Sequence, residues 1–324
     1  MSKLDTIKAP IAEHIDEFEK HFRSSMKTPV PLLNTITRYL VKRKGKQMRP
    51  MFVFLAAKVC NDVTESTYRA ASLIELLHTA TLIHDDVVDD SNERRGFFSL
   101  NALWKNKISV LIGDFLLSKG LLLALEHDEF QLLKIVSNAT KEMSEGELLQ
   151  IEKARHLDIK EDIYFEIIRK KTASLIASCC QAGAFSSGTS AENVETMRLF
   201  GESVGIAFQI KDDLFDFEKN RATGKPDGTD IKEKKMTLPL IYLLNNSGWS
   251  ERRRIISVVK RHNDEPDAVN PLIEKVNTGG GIEYARKKMF EYRDKAIELL
   301  HGFAPSPSRD SLEQLVNFTV ERQH

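Results

Sequence analysis

The sequence predicts an all-α protein, and three observations carry that reading. All ten prolines lie outside residues 51–225, where average usage of about 5% would place roughly nine. Proline inside a helix removes a hydrogen bond and clashes with the preceding turn, so a proline-free span of this length suits long helices. Within it the apolar residues recur at helical spacing, as in Leu73, Leu76, Leu77, Ala80 and Ile83, and no sustained period-two alternation interrupts them.

The remaining segments follow in chain order. Met1 to Phe22 carries acids throughout and has no uninterrupted apolar core, which argues against a secretory signal. Val110 to Leu125 is the most apolar stretch, but Asp114 and Lys119 break it. It is shorter than the ~20 residues a membrane span needs, and is expected to be a buried helix of a soluble protein. The polar stretch from Asn246 to Thr278, with Pro266 and Pro271, predicts a less regular C-terminal third. Gly279, Gly280 and Gly281 then break the chain before a helix with apolar positions Ile282, Ala285, Met289, Tyr292, Ala296 and Leu299. A last helix is expected from about Ser308, with Leu312, Leu315 and Val316 on its apolar face. No low-complexity tract or linker divides the chain, so residues 1–324 read as a single domain, long enough to bury its own core.

Charge narrows the function. Lys plus Arg and Asp plus Glu both total 47, so no global field draws the chain to nucleic acid or anionic lipid. Any charge-driven function is local. Three cysteines, Cys60, Cys179 and Cys180, are too few and too badly spaced for a disulfide framework or a zinc site, which fits a reducing, cytoplasmic compartment.

Two acidic clusters supply the local charge. Asp85-Asp86-Val87-Val88-Asp89-Asp90 and Asp212-Asp213-Leu214-Phe215-Asp216 both have the form Asp-Asp-x-x-Asp. Residues four apart on a helix lie one above the other, so Asp85 and Asp89 share a face, as do Asp212 and Asp216. Such like-charge pairs are unfavourable unless a cation lies between them. All-oxygen carboxylate ligands suit hard ions, and magnesium in particular takes a few carboxylates together with substrate phosphate oxygens and water. A solvated helix face would explain either cluster alone. Their apolar neighbours, Leu82 and Ile83 before the first and Phe208 and Ile210 before the second, together with the duplication, favour a functional role.

A diphosphate needs donors as well as metals. Arg94 and Arg95 follow the first cluster, and residues 42–50 set Gly45 among Lys42, Arg43, Lys44, Lys46 and Arg49. Gly224-Lys225 and Lys235-Met236-Thr237 lie in and after a turn-rich loop downstream of the second cluster. Gly224-Lys225 is not a P-loop, because the Walker spacing and the preceding strand are absent. His78 lies seven residues before Asp85, almost two helical turns, so both side chains point the same way and the imidazole could donate to a phosphate oxygen.

Taken together, the two Asp-Asp-x-x-Asp motifs and the Gly-Lys-x-x-Arg-Pro, Arg-Arg-Gly and Lys-Thr elements resemble the trans-polyprenyl diphosphate synthase family over nearly the whole chain. The resemblance implies the isoprenoid synthase fold, a bundle of long, mostly antiparallel helices around a deep central cavity, and usually a homodimer. It implies that Asp85, Asp89, Asp212 and Asp216 hold magnesium, three ions with diphosphate bound, and that Asp86, Asp213 and Lys171 belong to the catalytic set. Lys46, Arg49, His78 and Arg95 match positions that bind isopentenyl diphosphate. Arg94, Lys171, Thr172, Gln209, Lys225 and Lys235 match those that bind the allylic diphosphate. The departure is Lys44, where many relatives have a second glycine.

The implied reaction ionises the allylic carbon–oxygen bond, adds the double bond of isopentenyl diphosphate to the cation, and loses a proton to the released diphosphate. Bulky aromatics four and five residues before the first motif block the chain in short-product relatives. Here those positions are Thr81 and Ala80, with Leu77 a turn deeper, so the implied product is longer than geranylgeranyl. A farnesyl or geranylgeranyl synthase is the alternative within the family. A terpene cyclase would mix Asn, Ser or Thr with Glu in its second motif, and a non-catalytic partner subunit of a heteromeric synthase would carry eroded motifs. No nucleic-acid partner is expected, and at most peripheral membrane contact for product release.

Overall fold

The computed structural model describes residues 3–42, 47–88, 93–94, 97–156, 160–217 and 228–321. In chain order their helices are α1 (Lys3–Lys8), α2 (Ala12–Ser25), α3 (Pro31–Lys42), α4 (Met48–Cys60), α5 (Glu65–Val88), α6 (Leu100–Leu125), α7 (Phe130–His156) and α8 (Glu161–Ile168). There follow α9 (Ser174–Ser186), α10 (Ala191–Phe215), α11 (Thr229–Lys232), α12 (Leu238–Asn245), α13 (Trp249–Arg261), α14 (Pro266–Thr278), α15 (Gly281–His301) and α16 (Pro307–Glu321). A π-helical turn, Arg169–Ala173, joins α8 to α9. The extended backbone among the described residues is one antiparallel pair, β1 (Glu93–Arg94) with β2 (Phe97–Phe98), Glu93 opposite Phe98.

The all-α expectation is met, and the longest helices fall in the proline-free span: α5 has 24 residues, α7 27 and α10 25, while α6 spans 26 with a kink at Lys105 (φ 67°). Their starts follow local chemistry. Ser99 caps α6 by accepting the Ala102 N–H at 3.0 Å, and Pro239 and Pro266 occupy the first turns of α12 and α14, where no intrahelical donor is needed. Gly280, at φ 83°, takes the left-handed turn that opens α15.

Two expectations are corrected. The C-terminal third is as regular as the rest, because Ile255 and Val259 on α13 and Val269, Leu272, Ile273 and Val276 on α14 keep helical spacing beneath a polar surface. Val110 to Leu125 is not a buried helix. It belongs to α6, which by length and composition could cross a membrane, yet only 33% of its most apolar window is buried. Leu103, Val110, Leu111, Leu121, Leu122 and Leu125 face outward. A helix apolar all round has a second face that its own neighbours do not cover.

The chain forms two compact units. The first comprises residues 1–140, 178–198 and 303–312. In it α4 is buried continuously from Pro50 to Ala57, and α5 packs on α6 around Leu76, Ala80, Ile83, Leu100, Ile112 and Leu116. The second comprises residues 141–177, 199–302 and 313–324. Its core joins Tyr164 and Ile168 to Ile210, Leu214 and Phe217 of the α10 region, and to Leu240, Ile241, Val276, Ala285 and Met289.

Candidate active site

Asp85 and Asp86 stand in the last turn of α5 and Asp212 and Asp213 in the last turn of α10, with Asp216 one residue past its end, and neither helix has a basic residue in its last turn. The carbonyl end of a helix is already negative, so carboxylates placed there raise the local affinity for cations. The two clusters repeat one arrangement. Asp85 and Asp212 are exposed, whereas the next residue in each, Asp86 and Asp213, is turned inward at 5% and 6% exposure.

In the first unit, Arg49 of α4 is held by Glu75 of α5, with Nε and Nη2 donating to the two carboxylate oxygens at 2.6 and 3.3 Å. This bidentate grip fixes the plane of the guanidinium. His78 is half-buried one turn further along α5, and Thr81 Oγ1 donates to the His78 carbonyl at 2.9 Å. Leu77 is buried, and Ala80 is fully buried among Leu76, Ile83, Ile112 and Leu116. Lys46, Asp89, Arg95 and Lys225 lie outside the described residues; Arg94 is described only as backbone of β1.

The second unit brings more of the predicted residues together. Lys171, Thr172, Gln209, Asp212, Asp213 and Lys235 line one cavity of about 110 Å³, with Gln150, Tyr164, Asp230 and Thr237 and the apolar Ile167, Ile168 and Met236. A hydrogen-bonded chain runs through it. Thr172 Oγ1 donates to Gln209 Oε1 at 2.7 Å, Gln209 Nε2 donates to Asp213 Oδ1 at 2.9 Å, and Tyr164 donates to Asp213 Oδ2 at 2.7 Å. Burial, then the neighbouring Asp230, pushes the Asp213 carboxyl up to about 7. Burial and then Asp213 hold the Tyr164 hydroxyl well above its ordinary value, so it remains a donor.

Lys171 and Thr172 owe their placement to the π-turn, which inserts an extra residue into the helix and re-aims the side chains it carries. Two glycines admit it. A Cβ on Gly146 of α7 would lie 2.7 Å from the Lys171 backbone nitrogen, and one on Gly205 of α10 would lie 2.4 Å from Ala173 Cα. The cations here already have partners. Lys171 Nζ pairs with Glu147 and donates to Gln150 Oε1 at 3.3 Å, while Lys235 pairs with Glu233 and lies 3.6 Å from Asp230 Oδ1. Burial opposes the Lys235 charge, but Glu233, Asp230 and Glu147 outweigh it and raise its pKa.

Asp216 is also engaged. Its Oδ2 accepts the Asp230 N–H at 3.1 Å and its carbonyl accepts the Gly228 N–H at 3.1 Å, which anchors the start of α11. Among the described residues no three His, Cys, Asp or Glu side chains gather closely enough to enclose a metal by themselves. The donor set still fits magnesium, which takes one or two carboxylates per ion and completes its shell with water and phosphate oxygens. The cavity of the second unit sets Lys171, Lys235 and the Thr237 hydroxyl, which has no hydrogen-bond partner among the described residues, beside an apolar wall, a combination that suits a phosphate anion.

Sequence reasoning missed Tyr164, Glu147, Gln150 and Asp230. Only the Gly-Glu-x-x-Gln run of residues 146–150, three polar or small residues on one helical face, offered a signal.

The chain is similar to known proteins over nearly its whole length. The family model described as polyprenyl synthetase matches residues 30–276. The all-trans-nonaprenyl-diphosphate synthase (geranyl-diphosphate specific) of Rhodobacter capsulatus is 35% identical, over 98% of this chain and 97% of its own. A crystal structure of a decaprenyl diphosphate synthase from Rhodobacter capsulatus superposes with a TM-score of 0.92 at 32% identity, covering 99% of both chains. That of geranylgeranyl pyrophosphate synthase from Bacteroides thetaiotaomicron superposes with a TM-score of 0.84 at 37% identity, covering 99% of this chain and 100% of its own.

Proposed function

The chain belongs to the polyprenyl synthetase family, with its all-α isoprenoid synthase fold, and on that premise we propose how it works as a prenyltransferase. It condenses isopentenyl diphosphate with an allylic diphosphate, head to tail and trans, to make a polyprenyl diphosphate longer than geranylgeranyl. One observation carries the reading: four residues that the family resemblance assigns to the allylic diphosphate, Lys171, Thr172, Gln209 and Lys235, line a single cavity with Asp212 and Asp213 of the second acidic motif.

Asp85, Asp89, Asp212 and Asp216 are the residues that would hold magnesium, which supplies positive charge opposite the leaving diphosphate. Lys171, Thr172, Gln209 and Lys235, with Arg94 and Lys225, bind and orient the allylic diphosphate. Arg49 and His78, with Lys46 and Arg95, take isopentenyl diphosphate, Glu75 presenting the Arg49 guanidinium edge-on. Ile167, Ile168 and Met236 exclude water from the allylic cation, which would otherwise be quenched to an alcohol. Asp213, anchored by Tyr164, keeps Gln209 in register with Thr172.

The family match runs through residues of both compact units, which supports treating 1–324 as one catalytic domain. The outward apolar face of α6 supports a homodimer. A cytoplasmic location rests on the three thiols, all free.

The experiment is to incubate purified protein with labelled isopentenyl diphosphate, magnesium and geranyl, farnesyl or geranylgeranyl diphosphate, and to size the products. Chains beyond twenty carbons are expected, with turnover abolished by EDTA and restored by magnesium. The similarity to a geranylgeranyl pyrophosphate synthase favours one second reading, a product that stops at geranylgeranyl, and the same product sizing decides it.

A further inference from the structure

Glu147 has no place in the site as derived so far, yet it touches one of its central cations. Its carboxylate pairs with Lys171 Nζ, and Gln150, one turn along α7, accepts from the same ammonium at 3.3 Å. Its charge also helps to raise the pKa of Lys235, which lines the same cavity as Lys171. The pair is not sealed from water, with the Glu147 side chain 45% and the Lys171 side chain 34% exposed. It can therefore open at small cost.

The neighbouring cation behaves differently. Lys170 Nζ is paired with Glu145 at 3.4 Å and Glu166 at 3.2 Å, and it does not line the cavity. Of the two adjacent lysines on the π-turn, only the one that faces the cavity is held by Glu147.

We propose that Glu147 is a positioning residue that competes with the diphosphate for Lys171, holding the ammonium between additions and weakening the grip on each released pyrophosphate. The inference rests on the prenyl-transfer reading. A chain-extending enzyme releases one pyrophosphate per addition, and the next allylic diphosphate must then occupy the vacated site. A phosphate oxygen and a carboxylate on one ammonium repel each other, so the carboxylate lowers the affinity for both pyrophosphate and allylic diphosphate. When pyrophosphate departs, Lys171 returns to Glu147 instead of remaining an uncompensated charge.

Glu147→Gln tests this. The amide keeps the size of the side chain and an oxygen that accepts from Lys171, and removes only the charge. Inorganic pyrophosphate with magnesium, titrated calorimetrically into wild type and E147Q, is expected to bind the variant about three- to fivefold more tightly. The KM for the allylic diphosphate falls in parallel, that for isopentenyl diphosphate stays unchanged, and repeated additions slow as pyrophosphate is retained. Glu145→Gln, which removes a partner of Lys170, leaves pyrophosphate affinity within about twofold of wild type. Glu147→Ala moves it in the same direction as E147Q. A folding defect can only weaken binding, so damage cannot imitate a gain.

Equal or weaker pyrophosphate binding by E147Q, in protein whose wild type transfers prenyl groups, overturns this inference alone. Wild-type protein that transfers none overturns the prenyl-transfer reading, and with it the role of Glu147.

Discussion

Tyr164 donates its hydroxyl proton to Asp213 Oδ2 at 2.7 Å, with both side chains buried, so a residue with no chemical signature in the sequence fixes a carboxylate at the heart of the second acidic motif. That carboxylate in turn holds Gln209, which accepts from Thr172. The chain transmits one buried anchor to two side chains proposed to meet the allylic diphosphate.

Tyr164→Phe removes the donor and keeps the ring. A buried acceptor that loses a hydrogen bond costs about 1–3 kcal/mol. The melting temperature is expected to fall accordingly, and the KM for the allylic diphosphate to rise several-fold while that for isopentenyl diphosphate holds. Thermal melts and initial rates with each substrate varied check both. An unchanged melting temperature would show that the bond contributes nothing.

The Asp213 carboxyl also predicts a pH dependence. In the unfolded chain an aspartate titrates near pH 3.9, whereas burial, then Asp230, raises Asp213 to about 7 in the native protein. Between these values the folded state binds a proton that the unfolded state lacks. The contribution of Asp213 to stability is therefore full below about pH 4, falls as pH rises, and is lost above about pH 7. The span is on the order of a few kcal/mol. Urea unfolding with EDTA present, from pH 5 to pH 8, should show stability declining with pH, and Asp213→Asn should flatten the decline.

Sequence reasoning reached the fold because it is written in local spacing. Proline placement and helical periodicity are properties of neighbouring residues, whereas the last aspartate of the second motif, Asp216, falls one residue past the end of α10. What it missed depends on distant pairs. Glu147 meets Lys171, and Tyr164 meets Asp213, only after α7, α8 and α10 have packed. The outward face of α6 escaped for a related reason: a helix apolar on every side does not declare which side its own chain will cover. The regular helices of the C-terminal third lie beneath a polar surface, and Pro266, which suggests a break, stands in the first turn of α14.

The π-turn carrying Lys171 and Thr172 should be sensitive to any added side chain at its two glycine contacts. Gly205→Ala would place a methyl group 2.4 Å from Ala173 Cα, against backbone that cannot swing aside. Overpacking of this kind costs about 1–3 kcal/mol. Because the turn must shift to relieve it, the KM for the allylic diphosphate is expected to rise as well. Gly248→Ala, where an added Cβ meets nothing within 4 Å, adds the same methyl group at the N-cap of α13 without a close contact and should leave the KM for the allylic diphosphate unchanged. Equal effects of the two substitutions would remove the argument from close packing.

Ala80→Phe sets product length against core packing. Ala80 is 0% exposed and packs among Leu76, Ile83, Ile112 and Leu116. If the growing prenyl chain passes this point of α5, the larger ring fills the space the chain would take, and the product shortens while the enzyme stays folded and active. If Ala80 is only a core contact, the ring overpacks α5 against α6, and the protein loses about 1–3 kcal/mol with no change in product length. Sizing the products of the variant beside its thermal melt separates the outcomes, since a shorter product at undiminished stability requires room that only a substrate channel provides. A destabilised variant that still makes the wild-type product would take Ala80 out of the channel wall, and the floor that sets chain length would then lie deeper, with Leu77 the next residue to enlarge.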